Sequence, residues 1–460
     1  MKNTLIKTFL CVGVFFGILI FAKNSQAATI NVVNANGQPS CEQADVQTAV
    51  NSATNGDTVL VPAGNCTWEA TKAWSGAVEI PSGKQITLQG QGIGKTVIIF
   101  IITKTESGYN STLESNGNGV RITGFTFLKS QLDITGRDWR IDHNRFEGNT
   151  PCTHNLVGIS AKNANYSELV KGLIDNNQFH NIKILAVGGP SMITNWAWAR
   201  PLDLGTAEAV YVEDNEFFSD CSSGLILDAN YGGSYVFRYN RLQDANIMAH
   251  AVQGANRATR KWEVYNNFWF TTPESANAYS FGFIRAGTGV VFNNTAVGRQ
   301  GWGPGLWHFP TIIIDEQRSC RDDVQVSGKC DGTSPWDGNT PGMSGYPCRD
   351  QIGRSTDNPQ WVSTVGSEGA YTQQLDPAYA WNNFMYPTEA DKINKTNGVA
   401  FGFDVKDACP AETAHLLAGR DFYNNAVKPG YTPYTYPHPL RASVSADATP
   451  PAPPTGLSVN

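Results

Sequence analysis

A six-residue pattern recurs through the middle of the chain: apolar, two variable positions, asparagine, one variable position, apolar. It reads Ile141-Asp142-His143-Asn144-Arg145-Phe146, then Ile174-Asp175-Asn176-Asn177-Gln178-Phe179 and Val212-Glu213-Asp214-Asn215-Glu216-Phe217. It continues as Phe237-Arg238-Tyr239-Asn240-Arg241-Leu242, Val264-Tyr265-Asn266-Asn267-Phe268-Trp269 and Val291-Phe292-Asn293-Asn294-Thr295-Ala296. Ile122 to Phe127 also fits, with Phe125 at the asparagine position. Successive asparagines are separated by 33, 38, 25, 27 and 27 residues. A unit of this size, with two apolar positions and a polar turn residue, is one rung of a solenoid. A single coil cannot bury its inward residues, whereas stacked coils can. Coils stack about 4.8 Å apart, so an asparagine at each bend can bond its amide to the ones above and below. A β-propeller is excluded, because its blades repeat at about 40 residues and hold four strands. Helical solenoids are excluded by short rungs rich in β-branched and aromatic residues. The predicted fold is all-β: a right-handed single-stranded parallel β-helix with an N-terminal helical cap and an irregular C-terminal region.

The cap is read from Ser40-Cys41-Glu42-Gln43, which has capping-box spacing, followed by Val46, Ala49 and Val50 on one helical face. Gly56-Asp57 ends this helix, and Thr58 to Gly64 reads as a buried strand and turn. Ile86-Thr87-Leu88-Gln89-Gly90 reads as the next coil. A short helix before Gly-Asp-Thr-Val-Leu-Val-Pro-Ala-Gly (residues 56–64) resembles the cap of pectate-lyase-like β-helix proteins. Such a helix plugs the open end of the coil, which would otherwise expose strand edges.

Two rungs are over-long, with the excess at Gly148–Lys171 and Lys183–Thr206. Insertions in a solenoid become loops on one face, often the binding face. The second carries Trp196, Trp198 and Arg200, which either meet a ligand or pack on the coil. The period is lost after Arg299. The β-helix with its cap is therefore placed at residues 28–300. Residues 301–440 read as an irregular, disulfide-stapled extension packed on it. Residues 441–460 form a linker of Ala, Ser and Pro. Its end, Pro453 to Val459, resembles the opening of a fibronectin type III domain.

Lys2 and Lys7 precede an apolar run from Phe9 to Ala22, and Ser25-Gln26-Ala27 offers a small-x-small cleavage site. Residues 1–27 read as a secretory signal, because the run is short for a span of about 20 residues. The expected mature protein is exported, free of membrane spans and monomeric. The formal net charge of -6 argues against a nucleic-acid partner, yet a local basic cleft could still bind an acidic glycan. Of nine cysteines, Cys11 lies in the signal. The remaining even number in an exported chain favours disulfides, and with no Cys-x-x-Cys pair a zinc site is not expected. Cys41 and Cys66 both fall in the cap and are the expected pair.

Strand alternation turns the residue two before each asparagine outward, giving a column of Asp142, Asp175, Glu213, Arg238 and Tyr265. Three carboxylates one strand apart repel one another. Either a cation such as calcium relieves this, or Arg238 pairs Glu213 in a solvated stripe. The next outward column holds Arg140, Leu173, Tyr211, Val236 and Glu263. His250, Arg257, Arg260, Lys261 and Glu263 lie within one rung and form the candidate catalytic cluster. An arginine can bind a uronate carboxylate bidentately, and His250 or Lys261 can serve as the base of an elimination. Arg140, Tyr211, Arg238, Trp196 and Trp198 are candidate substrate-binding residues. Asp142, Asp175 and Glu213 are candidate metal ligands.

Trp139-Arg140-Ile141-Asp142-His143 resembles the tryptophan–x–Ile–Asp–His stretch of pectate lyases. The resemblance covers about residues 40 to 300. It implies the β-helix, a uronate substrate, calcium bridging enzyme and sugar, and an arginine base. The chain departs from the family in lacking Arg-x-Pro-x-x-Arg. It also lacks the Gly-His-Gly and Arg-Ile-Lys of polygalacturonases. The expected function is a secreted polysaccharide lyase cleaving a uronate polymer by β-elimination. The alternatives are a non-catalytic carbohydrate-binding or surface protein, and a glycoside hydrolase.

Overall fold

The computed structural model describes residues 27–70, 75–102, 111–148, 156–162, 169–187, 195–221, 224–251, 257–272, 281–298, 312–314, 350–358, 372–405 and 416–442. The expected signal peptide, save Ala27, and all but the first two residues of the expected linker lie outside them.

The chain winds as a right-handed parallel β-helix of three long sheets. Among the described residues sheet A has twelve strands, sheet B eleven and sheet C ten. Each turn runs from A to B to C and back to A. One rung shows the plan: Trp139–Asp142 lies in sheet A, Arg145–Glu147 in B and Leu156–Ala161 in C. Neighbouring rungs pair in register, so Ile141 faces Ile174 and Phe146 faces Phe179. Identical positions therefore stack along the axis. The interior holds Ile122, Ile141, Ile174, Val212, Phe237, Val264 and Val291 from sheet A, all at most 1 % exposed. From sheet B, Phe127, Phe146, Phe179 and Phe217 stack ring on ring at 4.8 to 5.2 Å. Gly172 leaves room for the Trp139 ring directly below it, which a β-carbon would approach to 2.3 Å.

The asparagine ladder forms as expected. Asn144, Asn177, Asn215, Asn240, Asn267 and Asn294 are all buried, and each donates its backbone N–H and side-chain amide to Oδ1 of the next. Asn383, unrecognised in the sequence, adds a seventh step above Asn294. The residue before each ladder position, from His143 to Asn382, has φ between 53° and 57°. This left-handed residue followed by asparagine makes the two-residue corner from sheet A to sheet B.

At the N-terminal end, helix Gln43–Ser52 buries Val46, Ala49 and Val50 as expected. Its cap differs from the expected box: Glu42 is the N-cap and makes no side-chain cap bond. Ser40 instead accepts from the Glu42 N–H at 3.2 Å and donates to Asp45 at 2.5 Å. Cys41 and Cys66 form the expected disulfide, with Cα atoms 5.8 Å apart. Cys221 is likewise disulfide-bonded.

The β-helix does not stop at residue 300, the boundary expected from the lost period. Ile312–Ile314 and Phe403–Val405 extend sheet C, Ala378–Trp381 and Phe422–Asn424 extend A, and Asn383–Tyr386 extends B. The period vanished because Asn294 and Asn383 are 89 residues apart. Residues 431–441 do pack on the coil, lying across the outside of sheet A.

Candidate functional site

The outward column of sheet A is not solvated. Asp142, Asp175, Glu213, Arg238 and Tyr265 are all at most 1 % exposed. The segment from Tyr431 to Arg441 covers them as a strap. Beneath it, charges alternate along the axis. Arg121 grips Asp142 with Nε at 2.8 Å and Nη2 at 2.6 Å, and Arg140 grips Asp175 at 2.9 and 3.0 Å. Arg238 grips Glu213 at 2.7 Å while donating to the Tyr434 and Thr435 carbonyls of the strap. Arg441 closes the array, 3.1 Å from Asp175, 3.0 Å from Glu213 and also against Asp214. Burial pushes the Asp142 carboxyl up, but the Arg121 and His143 hydrogen bonds and two guanidinium charges outweigh it and hold it well below the usual carboxylate range. For Asp175 and Glu213 burial wins, and both sit above it.

This corrects the metal and binding expectations for these residues. All six oxygens of Asp142, Asp175 and Glu213 already meet a guanidinium or an N–H donor. The set does not fit calcium, which needs 6–8 open oxygen ligands. Among the described residues no group of three or more His, Cys, Asp or Glu could hold a metal ion. Arg140, Arg238 and Tyr211 lie under the same cover and face no solvent. Outward meant a second buried layer: Leu173, Tyr211, Val236, Tyr265, Val290 and Phe292 pack against Tyr431, Tyr434 and Leu440.

The rung from Arg257 to Glu263 is corrected in the same way. Arg257 is fully buried, clamped between Asp350 and Asp357 at 2.6 to 2.9 Å, with Trp198 stacked on its guanidinium at 4.9 Å. Trp198 thus packs on the coil, donating to the Ala258 carbonyl at 3.1 Å, whereas Trp196 is half-buried. Arg260 donates to the Arg200 carbonyl at 2.6 Å and to that of Pro201. Lys261 donates to the Asp203 carbonyl, and Glu263 accepts from the Gly205 N–H and the Tyr431 hydroxyl. These side chains latch the 200–205 loop to the coil. Burial lowers Arg260 to about 10 and Lys261 to about 8. Neither can reach a polymer outside.

His250 is placed differently. The chain leaves sheet C after Asn246–Ala249 and enters sheet A at Lys261–Tyr265, so residues close in sequence end on different faces. His250 projects from sheet C, half-buried. In register beside it on the next rung is Arg285, since Ala249 pairs Ile284 and the Arg285 N–H bonds the Ala249 carbonyl at 2.9 Å. Asp228 lies on the preceding rung, 3.2 Å from Nδ1 of His250. Met248 and Phe283 fill the neighbouring column, with Arg285 3.7 Å from the Met248 sulfur and over the Phe283 ring at 5.8 Å. Lys183 and Leu185 rise half-exposed from Ile182–Val187, and Lys162 follows Leu156–Ala161. From Arg121–Thr123 to Thr295–Gly298 the A-to-B corners are two residues long, so every long connection over this stretch borders sheet C. Sequence reading missed Arg285 and Asp228 because sheet C has no repeating polar marker; the alternation in Gly282-Phe283-Ile284-Arg285 was the available signal.

The chain is similar in structure to alginate lyases. An alginate lyase from Paenibacillus sp. str. FPU-7 aligns with 82 % of this chain and 99 % of its own, at 11 % identity and a TM-score of 0.37. A PL6 alginate lyase in complex with a trisaccharide aligns over 82 % and 85 %, at 12 % identity and 0.35. The PL6 family alginate lyase AlyGC aligns over 59 % and 46 %, at 16 % identity and 0.28. No protein-family model and no curated protein matches the chain. Among the described residues no helix is long and apolar enough to cross a membrane.

Proposed function

We propose that the chain is an exported enzyme that cleaves an acidic, uronate-containing polysaccharide by β-elimination on the outer face of sheet C. One observation carries this reading: His250 and Arg285 stand side by side on adjacent rungs of the sheet whose margins hold the long connections. Lys183 adds positive charge to the same face, which suits a polyanion, while Lys162 there pairs with Asp133 at 3.7 Å. Elimination needs a cation on the uronate carboxylate and a base for the proton on the adjacent carbon. The Arg285 guanidinium can take the carboxylate bidentately, acidifying that proton. The imidazole of His250 then accepts it. The C–H electron pair becomes a carbon–carbon double bond, the bond to the glycosidic oxygen breaks, and that oxygen takes a proton from water.

The test is incubation with a panel of uronate polymers, read as ultraviolet absorbance of the unsaturated product. Wild-type protein should generate it on at least one polymer, and Arg285→Ala and His250→Ala should not. New reducing ends without absorbance would indicate hydrolysis instead. Binding without any product would make the chain a non-catalytic carbohydrate protein.

A further inference from the structure

Strand Leu225–Asn230 alternates, with Leu227 and Ala229 inside the coil and Asp228 turned outward. Asp228 is nonetheless 4 % exposed, with Met248 on the next rung in register beside it and His250 against its carboxylate. Both carboxylate oxygens approach the same ring nitrogen, Nδ1, at 3.2 and 3.3 Å. A carboxylate only accepts, so Nδ1 must carry the hydrogen. In a neutral imidazole the lone pair then resides on Nε2, the nitrogen a base requires. Among the described residues, the charged groups facing His250 across sheet C are Asp228 from the preceding rung and Arg285 from the following one; Met248 on its own strand is uncharged.

We infer that Asp228 is a positioning residue: it locks His250 in the Nδ1–H form, points Nε2 at the substrate and balances the imidazolium formed when the proton is taken. This rests on the elimination reading for its catalytic consequence, but the tautomer itself does not. The observation is of a carboxylate buried against one imidazole, on a rung beside those that present His250 and Arg285 outward, where a bare carboxylate would repel a uronate.

The experiment compares wild-type protein with Asp228→Asn, which keeps shape and removes charge. The variant should melt as wild type does. Its kcat on the cleaved polymer should fall about 100-fold, the usual worth of a well-placed base. KM should stay within about twofold, since Asp228 does not touch the sugar. Nitrogen-15 spectra of His250 at neutral pH should show Nδ1–H in wild type and a gain of the Nε2–H form in the variant. Unchanged kcat would overturn the inference, as would an Nε2–H imidazole in wild type. If wild-type protein cleaves no uronate polymer, the elimination reading fails by itself and the nitrogen spectra alone decide the role of Asp228.

Discussion

Replacing Asn240 by alanine tests the ladder at its middle. Asn240 is 1 % exposed. Its Oδ1 accepts from the Asn215 backbone N–H at 3.0 Å, and its Nδ2 donates to the Val212 carbonyl at 2.9 Å. It also joins the side chains of Asn215 and Asn267 at 3.1 Å each. Asn215 Nδ2 keeps two carbonyl partners, those of Ile174 and Glu213, and Asn267 Oδ1 keeps the Asn240 N–H. Two buried backbone groups therefore lose a partner that no water can replace. Each such loss costs about 1–3 kcal/mol, so Asn240→Ala should destabilise by about 2–6 kcal/mol. Urea unfolding followed by circular dichroism would show this as a lower midpoint at unchanged slope. Gln178→Ala, at a half-exposed outward position on sheet B, is the control and should cost under about 0.5 kcal/mol. A loss below about 1 kcal/mol for Asn240→Ala would refute the idea that the ladder holds the corners together.

Three other perturbations follow from the buried charges. Arg257→Ala leaves Asp350 and Asp357 buried without their cation and should cost about 3–5 kcal/mol, read in the same urea assay. Lys261, held at about 8 in the fold against an ordinary 10.5, releases its proton before the unfolded chain does; stability should therefore rise between about pH 8 and pH 10. Lys261→Met should flatten that rise, seen as melting temperature against pH. Truncation before Tyr431 uncovers the aromatic layer on sheet A and strips Arg441 from Asp175, Glu213 and Asp214, so the shortened chain should bind a hydrophobic dye and melt lower.

The winding of the chain was legible because one position, the ladder asparagine, has a fixed chemical task at every corner. That signal failed where it was interrupted: Asn383 belongs to the ladder but follows an 89-residue excursion. The outward residues were placed on the correct strands, and their chemistry was misread for a specific reason. Their cover, Tyr431 to Arg441, comes from an aperiodic segment about 200 residues later, as with Arg238 and Tyr434 at a separation of 196. Alternation tells inside from outside of a coil, not whether the outside meets water. The catalytic cluster failed differently. His250 and Arg257 to Glu263 are neighbours in sequence, but the chain crosses from sheet C to sheet A between them. His250 stays on sheet C, joined there by Arg285 in register and by Asp228 from the preceding rung, which local spacing does not encode.

The most direct test is a crystal structure with a short uronate oligosaccharide. The sugar should lie on the outer face of sheet C, with a carboxylate on Arg285 and the carbon-bound proton directed at Nε2 of His250. An oligosaccharide seated elsewhere, on sheet B or in place of the strap over sheet A, would contradict that assignment.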